Sequence, residues 1–316
     1  MKRALILLLL LLLTVGPGAA PALAAQPRVG ISCPYEPSLW PAAVYRTAET
    51  AAEELELNYV LKAASTAQEQ AEDLEMFVRQ GFDAIVLLPI DDSLEDAARR
   101  AMADGVRLYC FVCSPGALEP DFGLLADGEA LGELAADAIG AQLTDGGRVA
   151  ILGCAAGGEV LARQVAAFRS ALQARHPQVE IVGEWLADGP GREDGARTGA
   201  QILAEVEDID AAFACTEGLA VGLTDALAAQ DRLEELRALS CTGGSKSLLE
   251  WAQALPEELH FSVQTCSPYA VEEMLRLCAG LLQGEETADA PLPARTLERE
   301  DFDAWLADCG AADAPF

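Results

Sequence analysis

Short apolar runs alternate along this chain with longer stretches in which apolar residues recur at helical spacing. Strand-like runs fall at 28–33, 57–61, 84–88, 107–113, 122–125, 148–153, 179–185, 211–215, 237–241 and 260–265. Amphipathic helical stretches such as Ala42–Leu55, Ala67–Gln80, Ser93–Asp104, Gly128–Leu143, Glu159–Arg175, Gly195–Glu205 and Leu219–Ala229 lie between most of them. Short strands alternating with helices predict βαβ units and parallel sheets covered on both faces. The right-handed crossover rule then fixes most of the topology.

The pattern occurs twice. Val29-Gly30-Ile31 is similar to Val149-Ala150-Ile151, Phe82-Asp83-Ala84-Ile85-Val86 to Ile209-Asp210-Ala211-Ala212-Phe213, and Val106-Arg107-Leu108 to Leu236-Arg237-Ala238. The offsets of roughly 120–130 residues suit two similar lobes rather than one large sheet. The expected fold class is therefore α/β, with two doubly wound parallel-sheet lobes.

In open α/β sheets, ligands bind outside the carboxyl ends of the strands, so residues there are site candidates. Those positions hold mostly Cys, Ser, Thr and Gly, and six cysteines stand at them: Cys33, Cys113, Cys154, Cys215, Cys241 and Cys266. A second-lobe strand order of 2-1-3-4-5 would place Cys154, Cys215 and Cys241 at neighbouring ends. Three thiolates there suit a soft metal or metalloid. Against this, the chain has only two histidines, His176 and His260. Most cysteines also lie within apolar runs, as in Leu108-Tyr109-Cys110-Phe111-Val112-Cys113, where Cys acts as a small buried hydrophobe. The chain's nine cysteines are an odd number, and their placement argues against a disulfide scaffold.

The amino terminus adds a compartment. Lys2 and Arg3 precede an apolar run from Ala4 to Leu13 and small residues up to Ala22-Leu23-Ala24, the pattern of a secretory signal peptide over 1–24. The run is too short to span a bilayer, and export to the periplasm is expected. About 290 further residues suit two domains of ordinary size. Loss of Lys2 and Arg3 deepens the net charge from −30 to −32. Such a surface repels nucleic acid and anionic lipid, while 51% hydrophobic residues still supply real cores.

With these residues in view, nearly the whole chain after residue 24 resembles the type I periplasmic binding proteins of the ribose and galactose class, the substrate-binding components of ABC importers. The matching segments open with Val29-Gly30-Ile31-Ser32 through Ala51-Ala52-Glu53-Glu54-Leu55, followed by Gln80-Gly81-Phe82-Asp83-Ala84-Ile85-Val86-Leu87-Leu88-Pro89-Ile90-Asp91. Leu131-Gly132-Glu133-Leu134-Ala135-Ala136, Phe213-Ala214-Cys215-Thr216-Glu217-Gly218-Leu219-Ala220-Val221-Gly222 and Ser267-Pro268-Tyr269 come after them in the same order. The resemblance implies three crossings between lobes, near Asp127-Gly128, near Cys266 and near Pro291–Pro293. It also implies hinge closure around a small molecule and delivery to an inner-membrane ABC permease. The first lobe is then 25–127 with 267–290, and the second 128–266 with 291–316; segment 284–316 reads as a crossover and tail.

The resemblance also marks where this chain departs from sugar binders, which use Asp, Arg and Asn on hydroxyls and aromatic rings on the sugar face. Leu88 stands where Asn often precedes Pro, Val112-Cys113 replaces Asp-Arg, and Thr216-Glu217 replaces Asn-Asp. Thr242 replaces Asp, Cys266 or a neighbour replaces the hinge Gln, and the second-lobe Arg falls on Ala162, beside Arg163. Unpaired buried hydroxyls would cost roughly 1–3 kcal/mol each, so a free pentose or hexose is not expected. Tyr35 and Trp40 match the family's aromatic wall and suit a ring-containing or partly apolar ligand.

Among the charged candidates, Glu217 reads either as an acceptor facing a ligand or as a first-turn helix acid. Asp91 reads as the start of the helix after the third strand. Asp127 lies at a hinge and suits either role. Arg163 reads as facing an anionic group or, preferably, solvent. Thr242-Gly243-Gly244-Ser245-Lys246-Ser247 and Gly153-Cys154-Ala155-Ala156-Gly157-Gly158 lack the glycine spacing of phosphate and dinucleotide loops. No nucleophile elbow or triad is present, so no catalysis and no cofactor are expected. The expected protein is a monomeric solute-binding protein that meets no nucleic acid. Two other readings stand beside it: a ligand-sensing partner of a membrane sensor kinase or chemoreceptor, and a thiol-based soft-metal binder.

Overall fold

The computed structural model of the chain describes residues 26–35, 39–156, 158–287 and 290–308. The expected signal peptide and Cys309 lie outside the described residues.

Every one of the ten expected strands forms. In the first lobe they are β1 (Arg28–Pro34), β2 (Asn58–Ala64), β3 (Ala84–Leu87), β4 (Arg107–Val112) and β5 (Phe122–Leu125). In the second they are β6 (Gly147–Cys154), β7 (Val179–Ala187), β8 (Ala211–Ala214), β9 (Ala238–Gly243) and β10 (His260–Thr265). Two two-residue strands, β11 (Ala290–Pro291) and β12 (Thr296–Leu297), join them. The sheets run β11-β5-β4-β3-β1-β2 and β12-β10-β9-β8-β6-β7. All pairs are parallel except β12 against β10. Each lobe's first five strands thus follow the order 2-1-3-4-5.

Burial follows position in the sheet. The inner strands β3 and β8 are buried throughout, as their uninterrupted apolar sequences require, whereas the edge strand β2 alternates. Helices cover both faces: α1 (Leu39–Glu54), α2 (Ala67–Arg79) and α3 (Glu95–Ala103) in the first lobe. The second lobe has α4 (Gly128–Gln142), α5 (Gly158–Arg175), α6 (Arg192–Glu205), α7 (Glu217–Ala228) and α8 (Lys246–Ala252). Strand alternation splits the first-lobe core in two. Val29, Ile31, Val86, Tyr109 and Phe111 form one layer, and Ile85, Leu87, Leu108 and Cys110 the other. In the second lobe Phe168 stacks on Phe213 with ring centroids 4.3 Å apart.

The chain changes sheets three times: between β5 and α4, between β10 and α9 (Ala270–Leu282), and between β11 and β12. Helix α9 contributes Val271, Met274 and Leu275 to the first-lobe core. The last crossing comes slightly later than residue 291. Pro291 pairs with Leu125, the Leu292 N–H donates to the Leu125 carbonyl at 2.7 Å, and the Leu292 side chain is buried in the first-lobe core. The tail then docks on the second lobe. Arg299 donates to the carbonyls of Pro256 (2.7 Å) and Leu259 (3.2 Å). Within α10 (Phe302–Asp308), Trp305 Nε1 donates to the Gly244 carbonyl at 2.9 Å.

Candidate functional site

The carboxyl ends of both sheets face a cleft between the lobes, and two chambers open in it. The inner chamber, of about 390 Å³, is walled from the first lobe by Tyr35, Trp40, Leu88 and Val112 and from the second by Val160, Leu161 and Thr216. The outer chamber, of about 640 Å³, lies against the first and third crossings, with Asp127, Gly128 and Pro291 in its wall. Pro89, Ile90, Val112, Cys113 and Val160 border both. The predicted residues divide between them. Tyr35, Trp40, Thr216, Glu217, Thr242 and Cys266 line the inner chamber; Asp91, Asp127 and Arg163 line the outer; Cys113 belongs to both.

Local structure determines what each can offer. Trp40 sits in the first turn of α1, where Pro41 suits the helix start. Its ring stacks on Phe111 at 6.3 Å and 10°, and its Nε1 donates to the Cys266 carbonyl at 2.5 Å, tying α1 to the second crossing. Leu39 beside it packs on the second-lobe core, so α1 bridges the lobes. Tyr35 is 59% exposed at the rim. Thr216 is the N-cap of α7: its Oγ1 accepts from Leu219 N and donates to the Pro190 carbonyl at 2.9 Å. Thr242 Oγ1 accepts from Gln164 Nε2.

Glu217 is 2% exposed, and its carboxylate faces protein donors. Ser245 Oγ donates to Oε1 at 2.6 Å, and the N–H groups of Gly244 and Ser245 donate to Oε2 at 3.1 and 3.3 Å. The backbone N–H of Trp40, from the other lobe, reaches the same group. Burial pushes the carboxyl up to about 7, an effect that the Ser245, Gly244 and Trp40 bonds partly oppose. Glu217 therefore fastens the β9–α8 turn.

Asp91 caps the helical turn after β3, its Oδ1 accepting from Ser93 N at 2.9 Å and Ser93 Oγ at 2.5 Å. Asp127 caps α4 through Ala130 N at 3.1 Å. Arg163 pairs with Glu159 one helical turn away, Nη2 to Oε1 at 2.5 Å, on the exposed side of α5.

The cysteine row is staggered. Ala214 pairs with both Cys241 and Leu152, so Cys215 lies one step beyond Cys241, and Cys154 two. Strand alternation then turns Cys215 to the opposite face from Cys241. Among the described residues no group of three or more His, Cys, Asp or Glu is placed to hold a metal ion. The eight described cysteines are free thiols, and burial pushes Cys33, Cys110, Cys113, Cys266 and Cys278 up to about 12. Of these, Cys113 and Cys266 line the cleft as small, unreactive groups, while Cys33, Cys110 and Cys278 lie in the first-lobe core.

Two features of the cleft escape sequence reasoning. Leu39 enters the site with φ +58, and Val112 lies at φ +67. The Cys113 N–H donates to the Phe111 carbonyl at 2.9 Å, closing a tight γ-turn around Val112 that swings Cys113 into the cleft. Nothing in the Phe111-Val112-Cys113 sequence signals a positive φ, which β-branched residues rarely adopt.

Two α/β lobes, joined by three crossings around a cleft, define the type I solute-binding architecture. A family model described as a periplasmic binding protein domain matches residues 29–286, and the chain belongs to that family. The arabinose-binding component of an ABC transporter from Shewanella sp. ANA-3 superposes with TM-score 0.79, at 14% identity over 89% of this chain and 95% of its own. A solute-binding protein from Bacillus halodurans C-125, with bound myo-inositol, gives TM-score 0.80 at 18% identity, covering 89% and 98%. A periplasmic ribose ABC transporter protein from Conexibacter woesei gives 0.74 at 20% identity, covering 92% and 97%. No curated protein matches the sequence significantly. No helix among the described residues is long and apolar enough to cross a membrane.

Proposed function

We propose that the exported chain captures an uncharged, ring-containing and partly apolar solute in the periplasm and presents the closed form to an ABC permease. The observation that carries this reading is the inner chamber. It lies where the fold concentrates strand ends, yet its walls are Trp40, Leu88, Val112, Val160 and Leu161. Of its polar side chains, Thr216, Thr242 and Glu217 already bond within the protein, and Arg192 is held by both carboxylate oxygens of Asp225. The structural neighbours named above include proteins for arabinofuranose and myo-inositol. Polyols entering this chamber would leave hydroxyls unpaired at roughly 1–3 kcal/mol each.

Calorimetric titration with L-arabinose, D-ribose, D-galactose and myo-inositol tests the reading. The expected result is no binding tighter than millimolar. Micromolar binding of any of the four would refute the apolar-ligand assignment.

A further inference from the structure

The outer chamber is larger than the inner one, shares five wall residues with it, and is far more acidic. Where the inner walls are aliphatic and aromatic, the outer carries Asp91, Asp92, Asp127, Glu129 and Glu159 against Arg163 alone, which pairs with Glu159. A carboxylate is acceptor-only, so the polar partner suited to this chamber is rich in donors. A phosphate or carboxylate placed there would meet like charge.

The chambers meet at the γ-turn around Val112. The Val112 carbonyl accepts from Ala126 N at 2.8 Å, which binds the turn to the first crossing. A β-branched residue rarely adopts the φ of +67 that Val112 holds. Such strain persists where surrounding structure fixes it, and here it sits in the wall that both chambers share. Pro291 of the third crossing lines the outer chamber as well, so an occupant there touches two of the three crossings directly.

Building on the solute-binding reading above, we propose that the solute is a two-part molecule. Its apolar ring fills the inner chamber, and its uncharged, hydroxyl-bearing part passes the Val112–Cys113 turn into the outer one. Aryl glycosides and nucleosides have this chemistry; free monosaccharides lack the aromatic ring, and phosphorylated forms carry the wrong charge. The inference adds a second subsite, with Asp127 and Glu129 as acceptors and Cys113 as the residue setting the width of the passage.

The test titrates the folded protein, freed of any co-purified molecule, with phenyl β-D-galactopyranoside and adenosine as two-part probes. Phenol and adenine serve as ring-only probes, D-galactose and D-ribose as sugar-only probes, and adenosine 5′-monophosphate as the charged one. At least one two-part probe should bind at least tenfold tighter than either of its halves, with the monophosphate at least tenfold weaker than adenosine. Glu129→Arg, at an exposed position in the first turn of α4, should weaken the preferred two-part probe at least tenfold in a protein that still unfolds in one cooperative transition, and Cys113→Phe should weaken it likewise by narrowing the passage. A half that binds as tightly as the whole, or a Glu129→Arg protein that binds the whole unchanged, overturns the two-part assignment while leaving solute binding standing. Absence of binding by every probe overturns it too; loss of lobe closure in scattering measurements is the separate sign that solute binding itself is wrong.

Discussion

Replacing Glu217 by Gln isolates a pH effect whose size follows from the burial of one carboxyl. Glu217 ionises near 7 in the folded protein, against an ordinary value of 4.5. A group whose folded value is raised binds its proton more tightly in the fold. Its contribution to stability is fully present below about 4.5 and is lost as pH rises through about 7. The change amounts to about 3 kcal/mol, or more than about a hundredfold in the folded-to-unfolded ratio. Carboxyls held low by bonds, such as Glu95 with Arg99 and Asp145 with Arg237, act in the opposite direction, so the raw stability of the protein does not isolate the effect. Subtracting the E217Q profile from the wild-type profile removes them. Urea unfolding followed by tryptophan fluorescence between pH 4 and 8 gives both curves. The wild-type advantage should shrink by about 3 kcal/mol across that range. A difference that stays level, or grows with pH, would show that the donors from Gly244, Ser245 and Trp40 outweigh burial and would refute the reasoning.

Other perturbations probe the packing and the cleft. Gly222→Ala places a Cβ against the Arg192 carbonyl and the Ala196 amide in the α6–α7 interface, so about 1–3 kcal/mol should be lost in chemical unfolding. A substitution without effect would mean that these helices are not in backbone contact. Trp40→Phe keeps the stacking on Phe111 but deletes the bond to the Cys266 carbonyl, and calorimetry should find ligand affinity weakened roughly fivefold; full affinity would place that bond outside closure. Because burial pushes the cleft thiols up to about 12, labelling with a disulfide reagent at pH 8 should be slow in the folded protein and reach all nine cysteines in urea. Rapid labelling of Cys113 would reveal an open, solvated cleft.

Much of the fold can be read from the sequence because buried parallel strands are nearly pure apolar runs. Ile85-Val86-Leu87 and Ala211-Ala212-Phe213 can hardly be anything else. The strand order 2-1-3-4-5 is one of several that a βαβ succession with right-handed crossovers allows, and both sheets adopt it. The two-residue strands β11 and β12 carry no periodic signal, and α8, seven residues long, is too short to show one. Site positions are legible as strand ends, which is why the predicted residues fall along the two chambers. Their roles are less so. Whether Asp91 and Asp127 cap helices or meet a ligand depends on which N–H groups the fold brings to them. The engagement of Glu217 by the 244–245 turn depends on a contact 27 residues away in sequence. Register stands against the metal reading of the cysteine row, since Cys215 lies one step beyond Cys241 on the neighbouring strand and alternation turns it to the opposite face. The γ-turn at Val112 is set by surrounding structure against the local preference of valine.

Small-angle X-ray scattering shows whether the two lobes close on a small solute. The molecule released on denaturing the purified protein would be identified by mass spectrometry and added back to refolded, ligand-free protein. An uncharged organic molecule and a smaller radius of gyration on saturation are expected, as hinge rotation brings the lobes together. An unchanged profile at saturation, or a bound metal in place of an organic solute, would contradict that expectation.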